Sequence, residues 1–373
     1  MTRKTNLALA FTDEQAMILE TAKGFCADRS DITAVRRLLG SDNGYSADIW
    51  AEMVGLGWTG IAIPEQYGGS ELGIGSTLPL VESMGRNLLS TPYISTTIAS
   101  QAILRGGSEQ QKAKWLPLAA EGSIGTLALL DNEDWGATST SCELSADFEL
   151  QGTKLLVNDA AVADFFIVSA NHSGAQVLVM VEASQLSQDA LSSKLLIDET
   201  KRACNINFSG VTVSAEAILP QSEIALRDIK LLGALLNAAE STGSCAAALD
   251  LVVAYLTSRI QFGRLIGSYQ SLKHPTVDIL IGMDSARTLM YHAATLVGDQ
   301  PLDQDAEIAC RMAKAQATEA LLYAGDRAIQ FHGGMGFTYE CDAQLYLRRA
   351  LWSQHQYGDA YHHRTHLADL LLD

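Results

Sequence analysis

The sequence predicts an α+β fold: an N-terminal α-helical domain (1–121), a middle antiparallel β-domain (122–221) and a C-terminal four-helix bundle (222–373). Three observations predict it. Residues 11–120 carry helix-start signals followed by apolar residues at helical spacing. Residues 123–220 change to short runs rich in Val, Ile, Phe and Leu, separated by Gly, Asn, Asp and Ser, as strands of a small sheet would be. From about residue 223 long helical periods return with short connections, which favours helices packed antiparallel.

The first helix opens in "FTDEQAMILETAKGF", where Thr12 and Gln15 have capping-box spacing. Met17, Ile18, Ala22 and Phe25 then supply its apolar face. A second capping box stands at Ser108 and Gln111 in "GGSEQQKAKWLPLAAEG", where Pro117 is expected to disrupt the helix and Gly122 follows its end. The strand runs are "TLALL", "FELQGTKLLV", "DFFIVSA", "QVLVMVEA", "KLLIDE" and "CNINFSGVTV". The bundle helices fall at 223–258, 269–297 and 304–331, with shorter ones near 342–353 and 359–372. The longest apolar stretch, 231–256, is interrupted by Asn237, Glu240 and Asp250, so it reads as a buried helix and not a membrane span.

Charge and cysteine content narrow the function. The net charge of −17 repels phosphate backbones, which argues against nucleic acid as a partner. The N-terminal apolar run is too short for a signal peptide, and the six cysteines contain no CxxC pair. Both point to a cytoplasmic protein with reduced thiols.

Four blocks then occur in order: "LGWTGIAIPEQYGGSELG" (56–73), "GSEQQKAKWLP" (107–117), "SRIQFGRLIGSYQSLKH" (258–274) and "AIQFHGGMGFTYE" (328–340). Together they resemble the acyl-CoA dehydrogenase family, from about residue 11 to the end. The resemblance implies a tetramer, FAD as cofactor, an acyl-CoA thioester as substrate and an electron-transferring flavoprotein as acceptor. One carboxylate removes the α-proton while the β-hydrogen leaves as hydride to the flavin, which requires both acceptors fixed about one C–C bond.

An arginine beside an amide and an aromatic ring suits a pyrophosphate and a stacked ring. By resemblance Arg259, Gln261, Phe262 and Gln270 reach the FAD of a neighbouring subunit. Gln330, Gly333 and Gly334 resemble a second such contact, with Gly336 completing the turn. His274, one turn after Gln270, reads as structural.

The cis side of the flavin site departs from the family. "LLDNEDWGATSTS" (129–141) stands where the family carries Thr-Glu…Gly-Ser. Leu156 and Asn158 stand where it carries Trp-x-Thr. Leu156 cannot stack as an indole does, while Asn158 can still donate a hydrogen bond.

The catalytic base is missing from both of its family homes. One falls on Tyr357, a poor base because an ordinary phenol has a pKa near ~10. The other falls on Gly233. Asp359 is two positions from the first home, and Glu240 lies on the same helical face as the second but roughly 10 Å along. His355, Asp359, His362 and His366 have the spacing of one helical face, but Gly358 is expected to break the helix there. Asp359 therefore reads as an N-cap, and no metal site is assigned.

The "Gly-Asp-Ala…His-Arg" ending resembles the base-lacking chains of bacterial heterotetrameric acyl-CoA dehydrogenases, which act on bulky acyl-CoAs including steroid side chains. The preferred expectation is such a subunit in an α2β2 tetramer with a homologous partner chain. The alternatives are a homotetrameric dehydrogenase using Asp359, a non-catalytic FAD/acyl-CoA scaffold, and a flavin oxidase or hydroxylase on the same fold.

Overall fold

The computed structural model describes residues 13–137 and 140–372. Its first part is helical: α1 (Asp13–Arg29), α2 (Ile32–Leu39), α3 (Ala47–Gly55), α4 (Leu78–Arg86), α5 (Tyr93–Gly106) and α6 (Glu109–Ala120). Thr12 lies outside the described residues. Along α1, Ala22 is buried and Phe25 partly so, but Met17 is 67% exposed, one position around the helix from the packed face. The Ser108–Gln111 capping box forms in both directions. Pro117 does not disrupt α6. The helix runs through it to Ala120, because losing one amide bond in the last turn leaves the capped start and the buried face of Trp115, Leu116 and Ala119 intact.

Among the described residues the strands that follow are β1 (Gly125–Ala128), β2 (Glu143–Leu144), β3 (Glu149–Gln151), β4 (Thr153–Asn158), β5 (Phe165–His172), β6 (Ala175–Glu182), β7 (Leu191–Lys194), β8 (Ala203–Asn207) and β9 (Val211–Thr212). One sheet has the order β1-β5-β2-β3-β9 with β6 on β5, and a second has β4-β8-β7. Most pairs are antiparallel, but β1 runs parallel to β5, Gly125 opposite Phe165. The sheet is therefore mixed: β1 enters from α6 and not from a hairpin. The run "KLLIDE" is not a strand beyond Lys194. Leu195 is 96% exposed, and the chain turns there to bring Asp198 inward.

The C-terminal part holds α7 (Ser222–Ser258), the hairpin β10 (Ile260–Gln261) and β11 (Arg264–Leu265), α8 (Gln270–Ala294), α9 (Gln304–His332), α10 (Ala343–Ser353) and α11 (Ala360–Leu372). α7 and α9 run in the same direction. The Cys245 thiol meets the carbonyl of Ala320 at 3.5 Å, and the Tyr255 and His332 rings stack with centroids 4.2 Å apart. The start of the bundle closes on α4 through backbone contact. A Cβ on Gly243 would stand 1.8 Å from the carbonyl oxygen of Glu82, so only glycine fits there.

One buried charge network ties the β-domain to the bundle. The fully buried Arg349 of α10 donates to Asp198 and Thr200 and places Nη1 3.0 Å from Glu240 Oε1, while Lys201 donates to Glu240 at 2.6 Å. The six cysteines are all free and buried.

Candidate functional site

The residues expected to touch a neighbour's FAD gather at one end of the bundle. Arg259 caps the end of α7, the hairpin turn carries Gln261 and Phe262, and Gln270 is the first residue of α8. Gln330 lies in the last turn of α9, and Gly333 ends that helix with φ 61. The Tyr255–His332 stack fixes these two helix ends side by side. Phe262 is 90% exposed, and a Cβ at Gly333 or Gly334 would meet open space. Among the described residues, the side chains of Arg259, Gln270 and Gln330 make no hydrogen bond or ion pair within the chain. A guanidinium, two carboxamides and an aromatic ring thus remain available to an anionic, ring-bearing ligand from outside.

The expected cis platform is different. Leu156 sits at φ 49, and the Asn158 side-chain oxygen is buried without a hydrogen-bond partner. The carbonyl of Asn158 accepts from the Thr126 hydroxyl at 2.6 Å. Around Asn158 the cavity bounded by Ser95, Leu130, Trp135, Leu156 and Tyr357 measures only about 20 Å³, room for a water molecule and not for a tricyclic ring. The residues here do not fit a flavin in this arrangement.

The two positions expected to hold the base meet in space. Tyr357 lies in the α10–α11 connection at φ 58, and its ring rests on Gly233: a Cβ there would stand 2.3 Å from the ring. The same ring meets Trp135 at a centroid distance of 4.5 Å. Burial, and then the nearby Asp159, push the Tyr357 phenol above its ordinary range, so it holds its proton.

Neither substitute carboxylate points to a free role. Asp359 accepts from the amide of His362 at 2.7 Å and so caps α11. Glu240 is held by Lys201 and Arg349. Burial alone would raise its pKa, but these cations bring it below the ordinary range. Asp359→Ala is expected to cost about 1 kcal/mol of stability by losing the cap. Turnover of the assembled enzyme should stay within about twofold, whereas a complete loss in a still-folded variant would place Asp359 in the chemistry.

Of the histidine stripe, His355 precedes Gly358 and lies outside α11, as the glycine break requires. Among the described residues no group of three or more metal-ligating side chains comes together. His274 is exposed on α8. Sequence reasoning missed three residues that shape this region: Trp135, Lys314 and Arg349. Trp135 was visible as a large aromatic in the segment that departs from the family, and Lys314 as a lone cation in the Ala-rich face of α9.

Comparison with known proteins agrees with this layout. Residues 12–123 match the model of the acyl-CoA dehydrogenase N-terminal domain and residues 231–372 that of the C-terminal domain. The acyl-CoA dehydrogenase IpdE2 of Mycobacterium tuberculosis is 31% identical over 342 residues, covering 91% of each chain. The human mitochondrial short-chain specific acyl-CoA dehydrogenase is 27% identical, over 95% of this chain and 89% of its own. Among solved structures, a variant of the Tcur3481–Tcur3483 steroid acyl-CoA dehydrogenase superposes with TM-score 0.86 at 26% identity, covering 96% of this chain and 98% of its own. The ChsE4–ChsE5 complex of Mycobacterium tuberculosis superposes with TM-score 0.88 at 21% identity over 98% and 99%, which shows a shared fold. The chain belongs to the acyl-CoA dehydrogenase family, oxidoreductases with FAD as their cofactor.

Proposed function

We propose that this chain is the base-lacking subunit of an α2β2 acyl-CoA dehydrogenase, supplying contacts to an FAD seated mainly in a homologous partner. The observation that carries this reading is the contact of Tyr357 with Gly233, since the two positions where the family keeps its base hold a phenol and a glycine pressed together. The unspent Arg259, Gln270 and Gln330 support the other half of it.

In this reading Arg259 and Gln261 hold the pyrophosphate side, Phe262 packs a ring, and Gln330 with the Gly333–Gly334 turn receives the adenylate side. Bound FAD supplies the hydride acceptor. The proton is taken by a carboxylate of the partner, and the residues of this chain bind and orient. The substrate class is an acyl-CoA with a bulky acyl group, a reading supported by the steroid in the name of the Tcur3481–Tcur3483 relative, and the electron acceptor is an electron-transferring flavoprotein. The unpaired cysteines suit a cytoplasmic setting. The homotetramer reading gains little from Asp359, whose carboxylate is turned to the α11 amides.

The test is flavin content. The chain purified alone is expected to be colourless, and co-purified with a dehydrogenase partner it should carry one FAD per pair of unlike chains. A yellow homomer that oxidises acyl-CoA unaided would contradict the proposal.

A further inference from the structure

The α10–α11 connection is held by one buried ammonium. Lys314, in the middle of α9, is wholly inaccessible. Its Nζ donates to the carbonyls of Ser353 at 3.1 Å, Gln354 at 3.2 Å and Gly358 at 3.0 Å. The first two belong to the end of α10, where carbonyls lack helical partners, and the third stands immediately before the α11 cap. Among the described residues no carboxylate is bonded to this lysine. Asp359 acts on it only at longer range, its Oδ1 being committed to the His362 amide. The other ionisable neighbours give it no partner. Arg311 lies one turn earlier on α9, and His363 of α11 is kept neutral, its pKa pushed down to about 2 by burial and then by Lys314. Burial lowers the Lys314 pKa to about 7, while Asp359 and the carbonyl oxygens favour the charged form.

A lysine here costs desolvation that an apolar residue would not. What it secures is a segment that holds Tyr357 and Gly358 at φ 58 and φ 96. A positive φ at tyrosine persists only where surrounding structure imposes it. We propose that Lys314 is a positioning residue whose ammonium staples residues 353–358, so that the Tyr357 ring stays seated against Gly233 and Trp135. Trp135 lines three cavities, of about 20, 410 and 20 Å³, and Tyr357 joins it in lining the small one around Asn158. The proposal needs neither FAD nor a partner, so it stands or falls separately from the subunit assignment.

Lys314→Met tests it in the full chain at about pH 6, read by hydrogen exchange of residues 353–359 and by Trp135 fluorescence, isolated by subtracting a Trp135→Phe background. Met290→Ala, a buried truncation on α8, controls for general loss of stability. The expected result is exchange at 353–359 roughly tenfold or more faster than in the control, with a changed Trp135 signal. Unchanged exchange and fluorescence in a folded Lys314→Met chain would overturn the proposal. Should that variant not fold, Gly233→Ala decides. Its Cβ pushes the ring away while the ammonium remains, so the Trp135 signal should change and the 353–359 amides stay protected. Equal loss of protection there would show that the ring, and not the lysine, holds the segment.

Discussion

Arg349→Met is expected to cost about 3–5 kcal/mol of unfolding free energy, enough to leave much of the chain unfolded at 37 °C. The reason is the asymmetry of buried charge. Asp198 and Glu240 are both buried and both face Arg349, so removing the cation leaves two carboxylates in the interior with Lys201 as the remaining close cation. Burial alone would raise the pKa of Asp198, but Arg349 and the Thr200 hydroxyl hold it below the ordinary carboxylate range. Glu240 is lowered likewise. The unfolded chain therefore takes up protons at higher pH than the folded one. The stability these groups contribute is fully present above about pH 5 and is lost as pH falls through the carboxylate range. In Arg349→Met the carboxylates protonate earlier, so the stability gap between wild type and variant should narrow below about pH 4. Urea unfolding at about pH 7 and pH 4 measures both effects. A gap under about 1 kcal/mol at neutral pH would show that the network does not lock the β-domain to the bundle.

Arg259→Ala is expected to weaken FAD retention by the assembled enzyme about 10- to 100-fold, the loss of one charge-assisted contact. The single chain should keep its stability within about 0.5 kcal/mol, because Arg259 is exposed and spends no side-chain hydrogen bond on its own fold. This separation makes the result informative: flavin is lost from an assembly whose chains remain folded. Equilibrium dialysis of FAD against the complex measures it. An unchanged dissociation constant would remove Arg259 from the cofactor site.

Much of this was legible in the sequence because its signals are local. The Ser108 capping box, the helical periods of 223–258 and 304–331 and the Gly333–Gly334 turn each depend on residues a few positions apart. The same holds for Asp359, whose spacing before "AYHHR" marks an N-cap. What stayed hidden depends on distant pairs. Nothing near Pro117 says that the remaining turn is paid for by Trp115 and Leu116 on the core. The strand reading of "KLLIDE" failed because Asp198 answers an arginine about 150 positions later, and β1 pairs parallel with β5 through a connection no periodicity encodes. The two expected homes of the base were placed by counting along the chain, one on Tyr357 and the other on Gly233. That the two counts end on touching residues, with Trp135 packed on the same ring, emerges only in three dimensions.

The most direct measurement is native mass spectrometry of the chain alone and with candidate partner chains, with a flavin spectrum of each preparation. The account predicts no FAD on the isolated chain, and two unlike pairs carrying two FAD in the active assembly. Four identical chains carrying four FAD would contradict it.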